Sequence, residues 1–331
     1  MLKRRQLFMG ALAAVLPAAV AGWARREPWE KGAYRKPAQS RVAILGAQSY
    51  DRLLEDILLW GLQLFHLSVH DKTVVLKPNL VEYDPAGVIN THPAVIAAAI
   101  EAFKRLGARQ VIVAEGPGHR RDNEYLLCAS SFSSMLKEHR TPYVDLNYDD
   151  AQALQLRSHF TRLQQLYLPE TVLKADLLVS MPKLKTHHWA GVTLSMKNLF
   201  GIIPGAIYGW PKNVLHWAGI AESILDINST LPVPQFAIVD GIVGMEGNGP
   251  IQGTPKPCGT LILGDDLVAV DATAARLMTL DPGKIPYLVE AGRFLGNIAP
   301  EHILSLGEEL AACRQDFHVI DRFQHLKVLQ G

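Results

Sequence analysis

Five short apolar runs in this chain each stop on, or just before, an ionisable side chain. They are Val74-Val-Leu-Lys77, Val111-Ile-Val-Ala-Glu115, Leu177-Leu-Val-Ser-Met-Pro-Lys183, Phe236-Ala-Ile-Val-Asp240 and Leu261-Ile-Leu-Gly-Asp265. Runs of this length, rich in branched residues and without polar alternation, are what strands buried on both faces look like. Parallel strands send their C-terminal ends to one edge of the sheet, where open α/β folds bind their ligands. The pattern predicts a cleft rimmed by Lys77, Glu115, Lys183, Asp240 and Asp265.

The segments between the runs have helical period. Asp51 to Phe65 carries Leu54, Ile57, Leu58, Leu62 and Phe65 on one side. A second helix is expected to be capped by Thr91, to hold Pro93 in its first turn and to close at Gly107. Further helices are expected over 123–138, 213–228 and 267–280. Strands are expected at 41–46, 142–146 and 173–179, and 149–167 reads as mixed. Strand and helix in alternation give an α/β fold: a mostly parallel sheet covered by helices on both faces. A candidate boundary between two lobes, with the site in the cleft between them, lies near 229–235, at Leu231-Pro-Val-Pro234.

Composition narrows the function classes. Lys+Arg 33 against Asp+Glu 32 leaves a net charge of +1 in 331 residues, so no basic excess points to nucleic acid. Cys128, Cys258 and Cys313 are far apart and form no CxxC pair, so no iron–sulfur or zinc-ribbon motif is written here. Residues 1–24 have the form of an export signal: Lys3-Arg4-Arg5, an apolar segment from Leu7 to Ala21, and small residues at Ala19-Val20-Ala21. Arg4-Arg5-Gln6-Leu7-Phe8 resembles the twin-arginine signal, which implies the twin-arginine machinery as a partner and a location outside the cytoplasm. The apolar segment is short for a membrane helix, so no stable span is expected once it is cleaved. Residues 25–40 read as a polar linker and 41–331 as the α/β unit.

The densest chemistry lies between Pro182 and Gly205, where Lys183, Lys185, His187, His188 and Lys197 are interleaved with Trp189, Leu194, Leu199 and Phe200. Lysines among residues that favour burial need an anion or a carboxylate partner. Lys77, Lys183, Lys185 and Lys197 are therefore candidates for holding a small anionic molecule, with Glu115, Asp240 or Asp265 as the ordinary ion-pair alternative. His119, His187 and His188 fall at strand ends and His216 follows the glycine-rich run. Imidazoles in such places serve as acid–base groups or as metal ligands. Asp240 and Glu246 flank a glycine-dense segment that reads as a loop able to approach a ligand. Asp266 and Asp271 are taken as structural. No GxGxxG or Walker pattern is present.

The segments VVLKPNLV, THPAVIAAAIE, VIVAEGPGHR, ADLLVSMPKLKTH, MKNLFGIIPG, VDGIVGMEGNGP and LVAVDATAARLM resemble the family called domain of unknown function 362. That resemblance implies a fold but no defined reaction. A second, more distant one is to lactate racemase and its relatives, which use a nickel-pincer nucleotide tethered through a lysine. His187 stands ten residues before Lys197, the spacing this resemblance implies between a catalytic histidine and the tethering lysine. Gly118-His119-Arg120 takes the place of a second catalytic histidine, and His216 that of a nickel-binding one. Ser195-Met196 stands where the relatives have two glycines, and Lys77-Pro78 where they have arginine and proline. Two functions follow: an exported racemase- or epimerase-like enzyme acting next to a carboxylate, with His119 and His187 as paired acid–base groups, or a non-catalytic anion-binding protein of the cell envelope.

Overall fold

The computed structural model describes residues 27–118 and 123–328. The strands are β1 (Ser40–Gly46), β2 (Thr73–Pro78), β3 (Gln110–Glu115), β4 (Tyr143–Asp145), β5 (Ala151–Gln155), β6 (Gln165–Pro169), β7 (Leu177–Met181), β8 (Lys183–His187), β9 (Gly191–Thr193), β10 (Gln235–Asn248), β11 (Gln252–Gly264) and β12 (Ile303–Gly307). Ten of them form one sheet in the order β12-β1-β11-β10-β7-β2-β3-β4, with β8 beside β10 and β9 beyond it. The pairs joining β10, β7, β2, β3 and β4 are parallel. β11 runs antiparallel to both β10 and β1. The mixed segment 149–167 supplies the separate hairpin β5–β6.

Two layers of helix cover this sheet, because successive strand residues face opposite ways. Val74, Leu76, Phe236 and Ile238 join one core with α1 (Leu54–Gln63), α2 (Pro93–Arg105), α3 (Asn123–Ala129) and α4 (Phe132–Glu138). Val75, Ala237 and Val239 join the other, against α5 (Ser195–Asn198), α6 (Asn213–Ala218), α7 (Ile220–Thr230), α8 (Leu267–Leu277) and α9 (Pro286–Phe294). Each such side chain contributes about 1.5–3 kcal/mol on leaving water. A register slip would put every one of them on the wrong face.

The local differences from the sequence reading have identifiable causes. Ser131, at φ 64°, splits 123–138 into α3 and α4, and Gly219, at φ 106°, splits 213–228 into α6 and α7. The N-cap of α2 is His92, whose Nδ1 accepts the Ala94 N–H at 3.1 Å. Thr91 instead joins two strand ends, donating to Met181 O at 2.6 Å and accepting from Asn79 N at 2.9 Å. Segment 27–39 is not a free linker: Trp29 stacks on Phe294 with ring centroids 4.4 Å apart. The boundary expected near 229–235 is not a break in the sheet, since β10 pairs β7 on one side and β11 on the other.

Two differences bear on the site. The chain does not leave the sheet after Met181. It turns at Pro182 and continues as β8, which takes over from β7 as the neighbour of β10. The glycine-dense segment after Asp240 is strand rather than loop. A Cβ at Gly244 would come within 2.8 Å of Leu184 O, so glycine there allows β8 to lie close. Among the described residues no helix is long and apolar enough to cross a membrane.

Candidate functional site

A cavity of about 210 Å³ opens where β2, β3 and β8 end. Lys77, Glu115, Lys185, His187, Lys197 and His216 line it, together with His188, Asn79, Thr193 and Lys212. Among its described lining residues Glu115 is the one carboxylate, facing four lysines.

Three of these lysines are held by hydrogen bonds, Lys77 and Lys212 by three each and Lys185 by two. Lys77, at 1% exposure, donates to Glu115 Oε2 at 2.7 Å, Asn198 Oδ1 at 2.9 Å and Pro78 O at 2.8 Å. Burial lowers its pKa and the Glu115 charge opposes that shift. Glu115 also accepts the N–H groups of Leu80 and Gly116, at 3.1 and 2.9 Å. A Cβ on Gly201 would collide with both members of this pair, so the glycine is required by close approach. Lys185 donates to Ile89 O at 2.8 Å and Pro250 O at 3.2 Å, and burial with Lys197 beside it holds its pKa well below the ordinary value. Lys212 reaches Gly116 O, Gly201 O and Phe200 O at 2.6, 3.2 and 3.3 Å, and burial brings its pKa down to about 7.

Lys197 differs. Among the described residues its Nζ has neither a hydrogen bond nor an ion pair, and it stands 5.0 Å from the centre of the Phe200 ring. Desolvation, helped by the charge on Lys77, brings its pKa down to about 8. Its helix is short, and α5 is fastened from another element. Asp271 on α8 accepts the N–H groups of Ser195 and Met196 at 2.6 and 3.1 Å, putting a buried carboxyl at the helix N-terminus. Burial raises the pKa of that carboxyl to about 7.

The histidines are set by backbone. His187 Nδ1 accepts the N–H groups of Trp189 and Ala190, at 3.0 and 3.2 Å, in the turn between β8 and β9. Its neutral ring therefore carries the proton on Nε2, and burial with the Lys197 charge holds its pKa well below the usual value. A ring in this state offers its Nε2–H as a hydrogen-bond donor. His216 Nδ1 lies 3.1 Å from Lys212 O, and its ring makes T-shaped contacts with Trp189 and Phe200.

Other expected site residues fall elsewhere. Lys183 and Asp240 form a buried ion pair at 2.5 Å, completed by Tyr50 OH, 3.0 Å from Lys183 Nζ and 3.1 Å from Asp240 Oδ1. Asp240 is fully buried there and Lys183 faces a different cavity, beside Tyr50 and His92. Glu246 sits on the β10–β11 hairpin, 3.4 Å from Lys256 and accepting the His318 N–H, away from the main cavity. Asp265 is at the opposite end of the sheet, beside Arg41, because β11 reverses direction. His119 lies outside the described residues, although Gly118 before it lines the cavity. Sequence reasoning missed Lys212, Asn198, Asn79 and Thr193. The one signal for Lys212 was a lysine in an otherwise apolar stretch, Gly209-Trp-Pro-Lys-Asn213.

Comparison with known proteins agrees with the segments named above. The thylakoid-associated protein sll1697 of Synechocystis is 28% identical over 235 residues, which are 66% of this chain and 67% of that protein. The lactate racemase apoprotein from Thermoanaerobacterium thermosaccharolyticum aligns with 76% of the chain at 12% identity, TM-score 0.44. A protein from Thermotoga maritima aligns with 67% of it at 12% identity, TM-score 0.36. The chain spans under two thirds of these two structures, 59% and 58% of their lengths. Residues 74–276 match one family model from β2 to α8, a span that holds every cavity residue named here. This chain belongs to the family described as Domain of unknown function (DUF362).

Proposed function

We propose that this chain is an acid–base enzyme that moves a proton at a carbon next to the carboxylate of a small anionic molecule. The observation that carries this reading is the amine of Lys197, which among the described residues has neither hydrogen bond nor ion pair, whereas Lys77, Lys185 and Lys212 each have at least two hydrogen-bond partners. With its pKa near 8, that amine is part neutral at mildly alkaline pH and can accept a proton. The proton leaves carbon for Lys197 Nζ, while His187 Nε2–H and the buried Lys185 hold the carboxylate end. Inversion needs a second acid–base group, and His119, which lies outside the described residues, is the candidate that the sequence offers.

The nickel-pincer group implied by the distant resemblance meets two attachments here but not the space. Lys197 offers the amine and His216 a ring oriented through Nδ1. A cavity of about 210 Å³ falls short of the roughly 300–1,000 Å³ that enclose drug-sized ligands. No group of three His, Cys, Asp or Glu side chains among the described residues is arranged around a common metal position. The chemistry proposed here runs on the side chains alone.

The test is exchange of substrate carbon-bound hydrogen with solvent deuterium, followed by mass spectrometry over a panel of short 2-substituted carboxylates. The neutral amine is the active form, so the exchange rate should rise about tenfold per pH unit below pH 8 and level off above it. Binding of a panel member without exchange at any pH sinks the enzyme reading. It leaves the anion-binding one, which is supported by four lysines around a single carboxylate.

For location, we propose export through the twin-arginine route, on the strength of Arg4-Arg5 and the apolar segment after them; both lie outside the described residues. The thylakoid-associated description of the Synechocystis relative supports an association with a membrane compartment. Changing Arg4 and Arg5 to lysine should keep the protein in the cytoplasm of its host, as read by fractionation. Undiminished export of that variant would point to the general secretory route.

A further inference from the structure

The cavity joins two kinds of surface that one ligand must satisfy together. Its polar end is incomplete. Asn79 Oδ1 and Thr193 Oγ1 have no hydrogen-bond partner among the described residues, although their side chains are 93% or more buried, and Lys197 Nζ is likewise unpaired. Buried polar atoms are costly to leave without partners, so such a floor favours a polar occupant. The remaining wall is apolar, made by Leu80, Val81, Trp189, Phe200, Pro211 and Ile251. Trp189 both lines the cavity and is 52% exposed, so the apolar wall continues out to the surface. A short polar anion would leave that wall against water.

We propose that the ligand is an amphiphilic carboxylate, with its head on the Lys185–Lys197 floor and an apolar body running out across Trp189. The assignment rests on the carboxylate reading above and adds the chemistry of the rest of the molecule. Charge complementarity fixes the head end at Lys185 and Lys197, and the lining residue that reaches the surface is the apolar Trp189. The half-exposed Trp189 at the edge of the cavity sets the direction of the body, which continues across it once the enclosed space of about 210 Å³ is filled.

Isothermal titration of the purified chain with acetate, butyrate, hexanoate, octanoate and phenylacetate tests this. Affinity should rise by roughly fourfold per methylene, the value for burying one CH₂ at about 0.8 kcal/mol, until the body passes Trp189. Trp189→Ser should flatten the series, and its exposure makes a folding defect unexpected. Trp60→Ser, on another exposed tryptophan, should change nothing. Lys185→Met should weaken every member alike. Equal affinity across the series, no binding at all, or a chain-length dependence that survives Trp189→Ser overturns the proposal. The deuterium-exchange result is read separately: chain-length-dependent binding without exchange keeps this inference and removes the acid–base one, and exchange without chain-length dependence does the reverse.

Discussion

Glu115→Gln is expected to cost about 3–5 kcal/mol of folding stability, the loss seen when one partner of a buried ion pair is removed. The pair is buried on both sides, with side-chain exposures of 1% and 2%, although both residues line the cavity. Removing the carboxylate leaves the Lys77 ammonium facing Asn198 Oδ1 and Pro78 O alone. It also weakens the tie to the N–H groups of Leu80 and Gly116. The sign with pH is fixed by Lys77. Its folded pKa already lies below the unfolded value, and losing Glu115 lowers it further. The penalty is therefore present while the lysine is charged and shrinks as pH rises towards the unfolded value, where the lysine is neutral in both states. Adding Lys77→Met should recover most of the loss, because a matched apolar replacement leaves no charge stranded. Urea midpoints of the wild type, both single variants and the double variant measure this. A loss under about 1 kcal/mol for Glu115→Gln, typical of a surface pair, would show that water reaches the site.

Lys197→Met is expected to do the opposite. In the exchange assay the rate should fall by about 10²–10⁴-fold, the usual contribution of a positioned acid–base group. Stability should stay within about 0.5 kcal/mol of wild type or rise, because no described partner is orphaned and a desolvated cation is removed. The Lys197 ammonium is disfavoured in the folded state, so any gain is largest below pH 8 and fades towards the unfolded value. Activity by exchange and stability by urea midpoint must be read on the same preparations. Retained exchange, or a loss of stability like that of Glu115→Gln, would place Lys197 among the structural lysines. Two lysines lining one cavity thus separate a framework role from a chemical one by experiment.

The sequence by itself determined a good deal. The apolar runs ending at Lys77, Glu115 and Asp240 mark strands β2, β3 and β10, because a strand buried on both faces must be continuously apolar over four or five residues. The density of cations after Met181 pointed to the cavity, and Lys77, Glu115, Lys185, His187, Lys197 and His216 do line it. All of this is short-range information, held within a run or one turn beyond it. Only the tertiary structure decided which lysine meets which carboxylate. Lys77 finds Glu115 across 38 positions and Lys183 finds Asp240 across 57, and those contacts take both carboxylates from Lys197. The direction of β11 was equally out of reach: an apolar run reads alike forwards and backwards, and the hairpin after Asn248 sends Asp265 to the far end of the sheet. Whether a lysine is a reactive amine or a strut depends on distances of a few ångströms between residues far apart in the chain, and that is set when the sheet and its helices pack.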